Sequence, residues 1–196
     1  ISRLWQEAFE NYSKYRDRPE FQGWFDTFAP NNTWLKPGEM FRCPDMAKTL
    51  KEIAATKGEA FYRGAIAEKI DAFFKKHNGF LTKEDLAAFK PEWVDPISVN
   101  YHGVDVWELP PNGHGITVLM ALQILKDMNL AERDCADTMH KQIEAMKLAM
   151  VDTAEYVAEP SFMRVSVDQL LSEDYAAKRR ALINDKAIMP EPGDPG

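Results

Sequence analysis

The run Ile116–Met128, ITVLMALQILKDM, constrains this chain more than any other stretch. If it is helical, Ile116, Val118, Leu119, Met120, Leu122, Ile124, Leu125 and Met128 point in nearly every direction. A helix that is apolar all round has to be covered all round, so the rest of the chain must supply layers on several sides of it. The run is shorter than the roughly 20 apolar residues a membrane helix needs, and no other stretch comes closer. A polar, glycine-rich loop, Pro110–Gly115, precedes it and offers two readings. It is either a cradle for a ligand or a tight corner out of a strand.

The neighbouring segments predict the covering elements. PISVNYHGVDVWELP alternates apolar and polar residues on both sides of Tyr101-His102-Gly103, which predicts a β-hairpin with a positive φ at Gly103. DTMHKQIEAMKLAMVDTAEYVAEP predicts a long amphipathic helix with the stripe Met139, Ile143, Met146, Met150, Ala154 and Val157, ended by Pro160. Short helices are expected near 167–171 and after Ser172. Upstream, residues 1–16 predict a helix with Leu4, Trp5, Ala8 and Phe9 on one side. Residues 16–41 carry Pro and Gly throughout and are expected to be extended and irregular, anchored by Phe21, Trp24, Phe25, Phe28 and Trp34. Pro44 opens a helix with Met46, Leu50 and Ile53 on its stripe and Gly58 at its stop. A second helical pattern carries Ile66, Ile70, Phe73 and Phe74 and ends at Gly79. Thr82 with Asp85 three residues on reads as a capping box for a short helix. This order of helices, hairpin and helices is not the strand–helix alternation of a parallel doubly wound sheet.

Several chemistries are excluded. The formal charge of −7 argues against a general binder of nucleic acid or anionic membrane. Cys43 and Cys135 form neither a disulfide framework nor a CxxC pair and are expected to be buried free thiols. Pro111–Ile116, PNGHGI, lacks the third glycine of a dinucleotide fingerprint, because Val118 stands there. Its amides remain a candidate anion cradle at a helix start, which makes Asn112, Gly113, His114 and Gly115 the candidate substrate-binding residues. His140 and Glu144 share a helix face as possible metal ligands, but two ligands do not make a zinc site, and no metal is expected. No G-x-S-x-G elbow or cysteine-protease signature is present. The start, ISRLWQEAFE, has no initiator Met and no signal-peptide sections, which predicts that the chain begins inside a longer precursor.

Taken together, five stretches resemble the γ-glutamyltranspeptidase family. GEMFRCPDMAKTLKEIA, AFYRGAIAEKI, GFLTKEDLAAF, PISVNYHGVDVWELPPNGHGI and HKQIEAMKLAMVDTAEYVAEP occur in the family's order across residues 38–160. Thr153 stands where the family has Arg, Glu159-Pro160 replaces Asp-Pro, and HNGF replaces a more usual double glycine near residue 79. Pro-Pro-Asn112-Gly113 looks more like the bacterial acylase-type branch. The resemblance implies an α+β fold: a mainly helical segment with a β-hairpin, part of a four-layer αββα sandwich of the N-terminal-nucleophile hydrolase type. It implies a precursor that cuts itself into two subunits and a γ-glutamyltransferase or hydrolase that acts through a threonine ester on γ-glutamyl amides such as glutathione. It implies no cofactor. The partners would be the small subunit of the same precursor and a γ-glutamyl substrate, with no nucleic acid and no membrane span in this segment. Neither the threonine nor its helpers match anything here, so no catalytic residue is expected in this chain, and the segment by itself is expected to be inactive. The division expected is 1–37 as an aromatic-rich segment, 38–185 as the large-subunit region and 186–196, KAIMPEPGDPG, as a linker to the small subunit. Other readings are an acylase-type or polyglutamate-cleaving relative, or a free-standing helical interaction module. If the segment folds alone, one apolar face is expected to stay exposed or to be covered by another copy.

Overall fold

The helices and hairpin of this chain form where the local sequence chemistry asks for them, with two exceptions. The computed structural model describes residues 3–130 and 132–196, which are mostly helical and fall into two compact units, residues 1–91 and 92–196.

In the first unit, α1 (Arg3–Tyr12) and α2 (Gln22–Phe28) bury Phe9, Phe25 and Ala29 with Tyr15, Phe21, Trp24 and Trp34 packed around them. Helix α2 corrects the expectation of an irregular segment. Phe21, Trp24, Phe25 and Phe28 have helical spacing, so one helical turn gathers the rings on one side, and Gly23 lies in open space where a missing side chain costs no packing. Helix α3 (Pro44–Ala55) starts on its proline and is closed by Gly58 at φ 95°, but its Met46 and Leu50 face outward. The pattern read as one helix up to Gly79 divides into α4 (Glu59–Tyr62) and α5 (Ala65–Lys76). The break falls at Gly64, where a Cβ would come within 2.8 Å of Ala60 Cα. At the other end of α5 it is Asn78, not Gly79, that takes positive φ. Gly79 is required for a different reason: its N–H donates to the Phe74 carbonyl at 2.8 Å and a Cβ there would overlap the Phe74 ring. Helix α6 (Lys83–Ala88) has the expected capping box. Thr82 Oγ1 accepts from the Asp85 N–H at 3.2 Å and Asp85 Oδ2 accepts from the Thr82 N–H at 2.9 Å.

In the second unit, β1 (Ile97–Tyr101) and β2 (Val104–Glu108) pair antiparallel with Val99 opposite Val106 and Tyr101 opposite Val104. The turn needs positive φ at both central residues, 50° at His102 and 85° at Gly103, as a two-residue hairpin loop does. Asn100 steadies it by accepting from the Gly103 N–H at 3.1 Å. The apolar run becomes α7 (Gly115–Leu125) and packs against β1, α8 (Ala136–Tyr156) and α10 (Glu173–Arg180); α9 (Val167–Leu170) contributes Leu170 to the same core. Ala145 and Ala149 of α8 are fully buried and small, which lets α7 approach closely through Ile116, Met120, Ile124 and Leu125. Arg180 reaches the open end of α7 and donates to the carbonyls of Gln123 (2.9 Å) and Ile124 (2.6 Å), groups a helix C-terminus leaves without partners. The all-round covering of α7 is met within this unit except at Val118, which is 40 % exposed.

Thr82→Ala removes the reciprocal cap of α6. It is expected to lower unfolding free energy by about 1 kcal/mol, read from the denaturant midpoint at unchanged slope.

Candidate functional site

Helix α8 presents three faces with different chemistry. The alanine face meets α7. A second face carries Met139, Ile143, Met146 and Met150, four of the six stripe residues noted in sequence, and it is exposed rather than buried, reaching 59 % at Met150, whereas Val157 at the end of the stripe packs against the core. The third runs through His140, Glu144, Leu148, Asp152 and Tyr156 and faces the C-terminal segment. The first place to look for chemistry is the groove between the α7 start and the methionine face, and the second is the acidic ridge.

The groove has a volume of about 590 Å³ and is bordered by Asn112, His114, Val118, Met146, Met150 and Val157. Its polar floor is the buried pair Thr117 and Thr153, whose hydroxyls lie 2.8 Å apart. Thr153 Oγ1 also donates to the Ala149 carbonyl at 2.8 Å, so Thr117 is the donor within the pair and both hydroxyl hydrogens are committed. Neither threonine is arranged as an activated nucleophile, which needs a base to take its proton. Thr153, which replaces an arginine of the resembled family, is thus accommodated by a neutral hydroxyl pair.

The structure splits the four candidate loop residues. Asn112 and His114 border the groove and are exposed, Gly113 is exposed to solvent, and Gly115 is the first residue of α7. The peptide between Pro111 and Asn112 is cis. Gly115 lies under the end of β2: a Cβ there would come within 2.8 Å of Glu108 Cβ and within 2.5 Å of its carboxylate. That carboxylate already sets a negative charge beside the N-terminus of α7, where an incoming anion would otherwise be favoured.

His140 and Glu144 do not converge on a common point. His140 Nε2 lies 2.7 Å from the Asn184 carbonyl, so this nitrogen is the donor. Glu144 Oε1 accepts from Lys147 Nζ at 2.7 Å and Oε2 accepts from the Ile188 N–H at 3.3 Å. Among the described residues no three His, Cys, Asp or Glu side chains are grouped to hold a metal ion. Both cysteines are free, and both are half-buried rather than buried. Cys135 caps α8, and the Thr138 N–H donating to its sulfur lowers its thiol pKa.

Beyond His140 and Glu144, the ridge and its partners contain polar groups that sequence reasoning did not single out. Asp152 and Arg179 are 1 % and 4 % exposed and form an ion pair, Nε to Oδ2, at 3.0 Å. Neither of these two atoms is aligned for a hydrogen bond, and the buried Tyr175 hydroxyl has none either. Asp152 Oδ1 accepts from the Gly193 N–H at 2.9 Å. Burial raises the Asp152 pKa against the pull of the Gly193 amide and Arg179, and burial next to Asp152 raises that of Tyr175. At Glu144 burial pushes upward too, but the Lys147 ammonium and the Ile188 amide outweigh it and the net shift is downward. The signal that was available is the spacing 140, 144, 148, 152, 156, which is one ridge of a helix.

The lowered Glu144 pKa has a sign that can be checked. Its contribution to stability is fully present above the ordinary glutamate value and is lost as pH falls through the folded value. Glu144→Gln is expected to cost roughly 1–3 kcal/mol at neutral pH and to flatten the acid loss of stability, measured as denaturant midpoint against pH.

This geometry has known counterparts. Residues 1–195 match the family described as Gamma-glutamyltranspeptidase. A glutathione hydrolase proenzyme of Bacillus subtilis subsp. natto is 33 % identical over 200 aligned residues, taking in 100 % of this chain and 34 % of the relative. The crystal structure of a cephalosporin acylase from Bacillus halodurans superposes with a TM-score of 0.88 at 52 % identity, over 97 % of this chain and 36 % of that one. The Helicobacter pylori gamma-glutamyltranspeptidase superposes with a TM-score of 0.75 at 28 % identity, over 95 % of this chain and 53 % of that one. The chain thus spans about a third of the length of the curated relatives it matches.

Proposed function

The chain belongs to the γ-glutamyltranspeptidase family, and on that premise we propose that the whole protein is an acyltransferase or hydrolase that cleaves γ-glutamyl amides, glutathione-like compounds among them, through a threonine ester. The reactive threonine lies outside these residues, at the head of a small subunit released from the same precursor, with its own α-amine as base. Residues 186–196 lead toward that subunit, and the present chain is part of the helical layer of an αββα sandwich. The observation that carries this reading is the family match along the chain. The term proenzyme, carried by the Bacillus subtilis subsp. natto relative, supports processing. The commitment of the hydroxyls of Thr117 and Thr153 supports a nucleophile elsewhere.

On this reading the present residues bind no reacting atom. Their work is to hold a rigid layer, because the donors that stabilise a tetrahedral oxyanion act only when fixed before the reaction begins. A second reading has a specific observation behind it. The 52 % identity to a cephalosporin acylase, together with Asn112-Gly113 in the loop before α7, favours an acylase-type preference within the same reaction class. The two differ only in the acyl group accepted.

The 196-residue chain incubated with a γ-glutamyl anilide is expected to release no aniline above the blank, whereas the full-length protein turns the anilide over with saturation. Saturable turnover by the chain alone would refute the placement of the nucleophile. Comparing kcat/KM for the anilide and for a cephalosporin side-chain amide with the full-length protein separates the two specificities.

A further inference from the structure

The C-terminal segment has the composition of a linker, yet it is bound to the body along its length. His140 holds the Asn184 carbonyl, Glu144 the Ile188 N–H, and Asp152 the Gly193 N–H. Arg179 Nη2 donates to the Glu191 carbonyl at 2.8 Å, Tyr156 Oη donates to the Gly193 carbonyl, and Gln169 Nε2 donates to that of Gly196. Ile188 adds an apolar anchor beside Leu148. The contacts advance in the same direction on both partners, so the segment is a strap parallel to α8. From His140 to Tyr156 the helix rises about 24 Å, and the strap from Asn184 to Gly193 reaches at most about 30 Å when fully extended. Little slack remains, and Pro190, Pro192 and Pro195 remove more of it by fixing φ.

Three features go beyond what stitching down a tail requires. The bonds address the strap's main chain, so they fix where the backbone runs. The partners Asp152 and Arg179 are buried and incompletely hydrogen-bonded, an arrangement that well-packed apolar side chains often match or better in stability. Gly193 lies tight against the latch: a Cβ there would come within 2.6 Å of Tyr175 Oη and 2.9 Å of Arg179 Nη1, so a larger residue would displace the strap or these side chains.

We propose that Asp152, Arg179 and Tyr156 are positioning residues for maturation of the precursor: they latch the strap at Glu191 and Gly193 and so set the place of the peptide bond that is cut downstream. In that cut one peptide bond is hydrolysed; water supplies the hydroxyl of the new carboxyl end and a proton of the new amino end. The latch touches neither reacting group. It acts through the backbone, and displacements of about 1 Å from a productive geometry can cost about 100-fold in rate. This rests on the reading of the chain as part of a self-cleaving family member.

The test uses the full-length precursor, produced uncleaved, and follows its conversion to two subunits on gels alongside its melting temperature. Gly193→Ala and Tyr156→Phe are compared with the wild type and with Leu86→Ala, a variant of a buried residue in the first unit that is neither part of the strap nor one of its hydrogen-bond partners. Gly193→Ala is expected to slow conversion at least ten-fold and Tyr156→Phe several-fold, with turnover of γ-glutamyl anilide per matured molecule within two-fold of wild type. Leu86→Ala is expected to lower the melting temperature without slowing conversion of folded precursor. Should Gly193→Ala fail to fold, Tyr156→Phe, which removes one hydroxyl, decides alone. Conversion of Tyr156→Phe and any folded Gly193→Ala at the wild-type rate overturns the latch and leaves the family reading intact. Slowing in proportion to lost melting temperature, Leu86→Ala included, overturns it in favour of a merely structural strap. A wild-type precursor that never converts overturns the latch together with the reading beneath it.

Discussion

A carboxylate enclosed by protein must be given donors, and two such groups on one ridge of α8 organise the second unit. Glu144 and Asp152 are 1 % exposed, so bulk water has little access to share the task. An unpaired charge there would cost several kcal/mol. Each carboxylate faces a cation and accepts from a backbone N–H, Lys147 with Ile188 and Arg179 with Gly193, although Asp152 Oδ2 is left with the ion pair alone. The cations come from α8 itself and from α10; the N–H groups come from the strap. The ridge therefore sets the course of the last stretch of chain and draws α10 against α8. Since a helix is rigid, fixing the ridge inward and the alanine face against α7 leaves the methionine face only one direction, toward solvent.

What could be read in the sequence was local. The capping box at Thr82 and Asp85, the turn at His102-Gly103 and the buried helix from Ile116 depend on residues within a few positions of one another, and they stand as the pattern predicts. Misreadings arose where a local signal was ambiguous or a distant partner decided. Pro and Gly within residues 16–41 obscured the helical spacing of Phe21, Trp24, Phe25 and Phe28. Gly64 breaks a helix by a close approach to Ala60 that periodicity does not reveal. On α8 the amphipathic pattern located an apolar stripe correctly but not its direction, because the partners of the opposite ridge lie far along the chain at Asn184, Ile188 and Gly193. The strap reads as a linker because its composition shows few side-chain anchors beyond Ile188 and is silent on main-chain ones.

The candidate site was legible to a similar degree. The glycine-rich corner was found, and two of its residues, Asn112 and His114, do border a groove. Gly115 turned out to be needed for the passage of Glu108, a steric reason that residue type alone does not distinguish from a backbone cradle. The substitution of Thr153 for arginine was visible as a departure from the family's pattern, but its consequence was not. A buried hydroxyl pair with Thr117 replaces what would have been a charge, so the floor of the groove is neutral and its polar groups face one another.

The exposed methionine face is a matter of magnitudes. Met139, Ile143, Met146 and Met150 are between 37 % and 59 % exposed, and burying such a side chain fully is worth about 1.5–3 kcal/mol. Turning Glu144 and Asp152 out to water would in turn relieve two desolvation costs. Considered by itself the second unit would gain on both counts by rolling α8, yet the helix keeps acids in and methionines out. Helix α3 repeats the pattern in the first unit, with Met46 and Leu50 exposed on a regular helix. Exposure of this kind, in stripes rather than singly, marks surfaces shaped for contact. It fits the proposed place of this chain in a sandwich about three times its length, where further layers would cover the stripes and the strap would hand the chain on at a fixed point. On that proposal, the arrangement that is unfavourable for an isolated unit is the one that would serve assembly, with apolar faces kept for neighbouring layers and the polar ridge for the strap backbone.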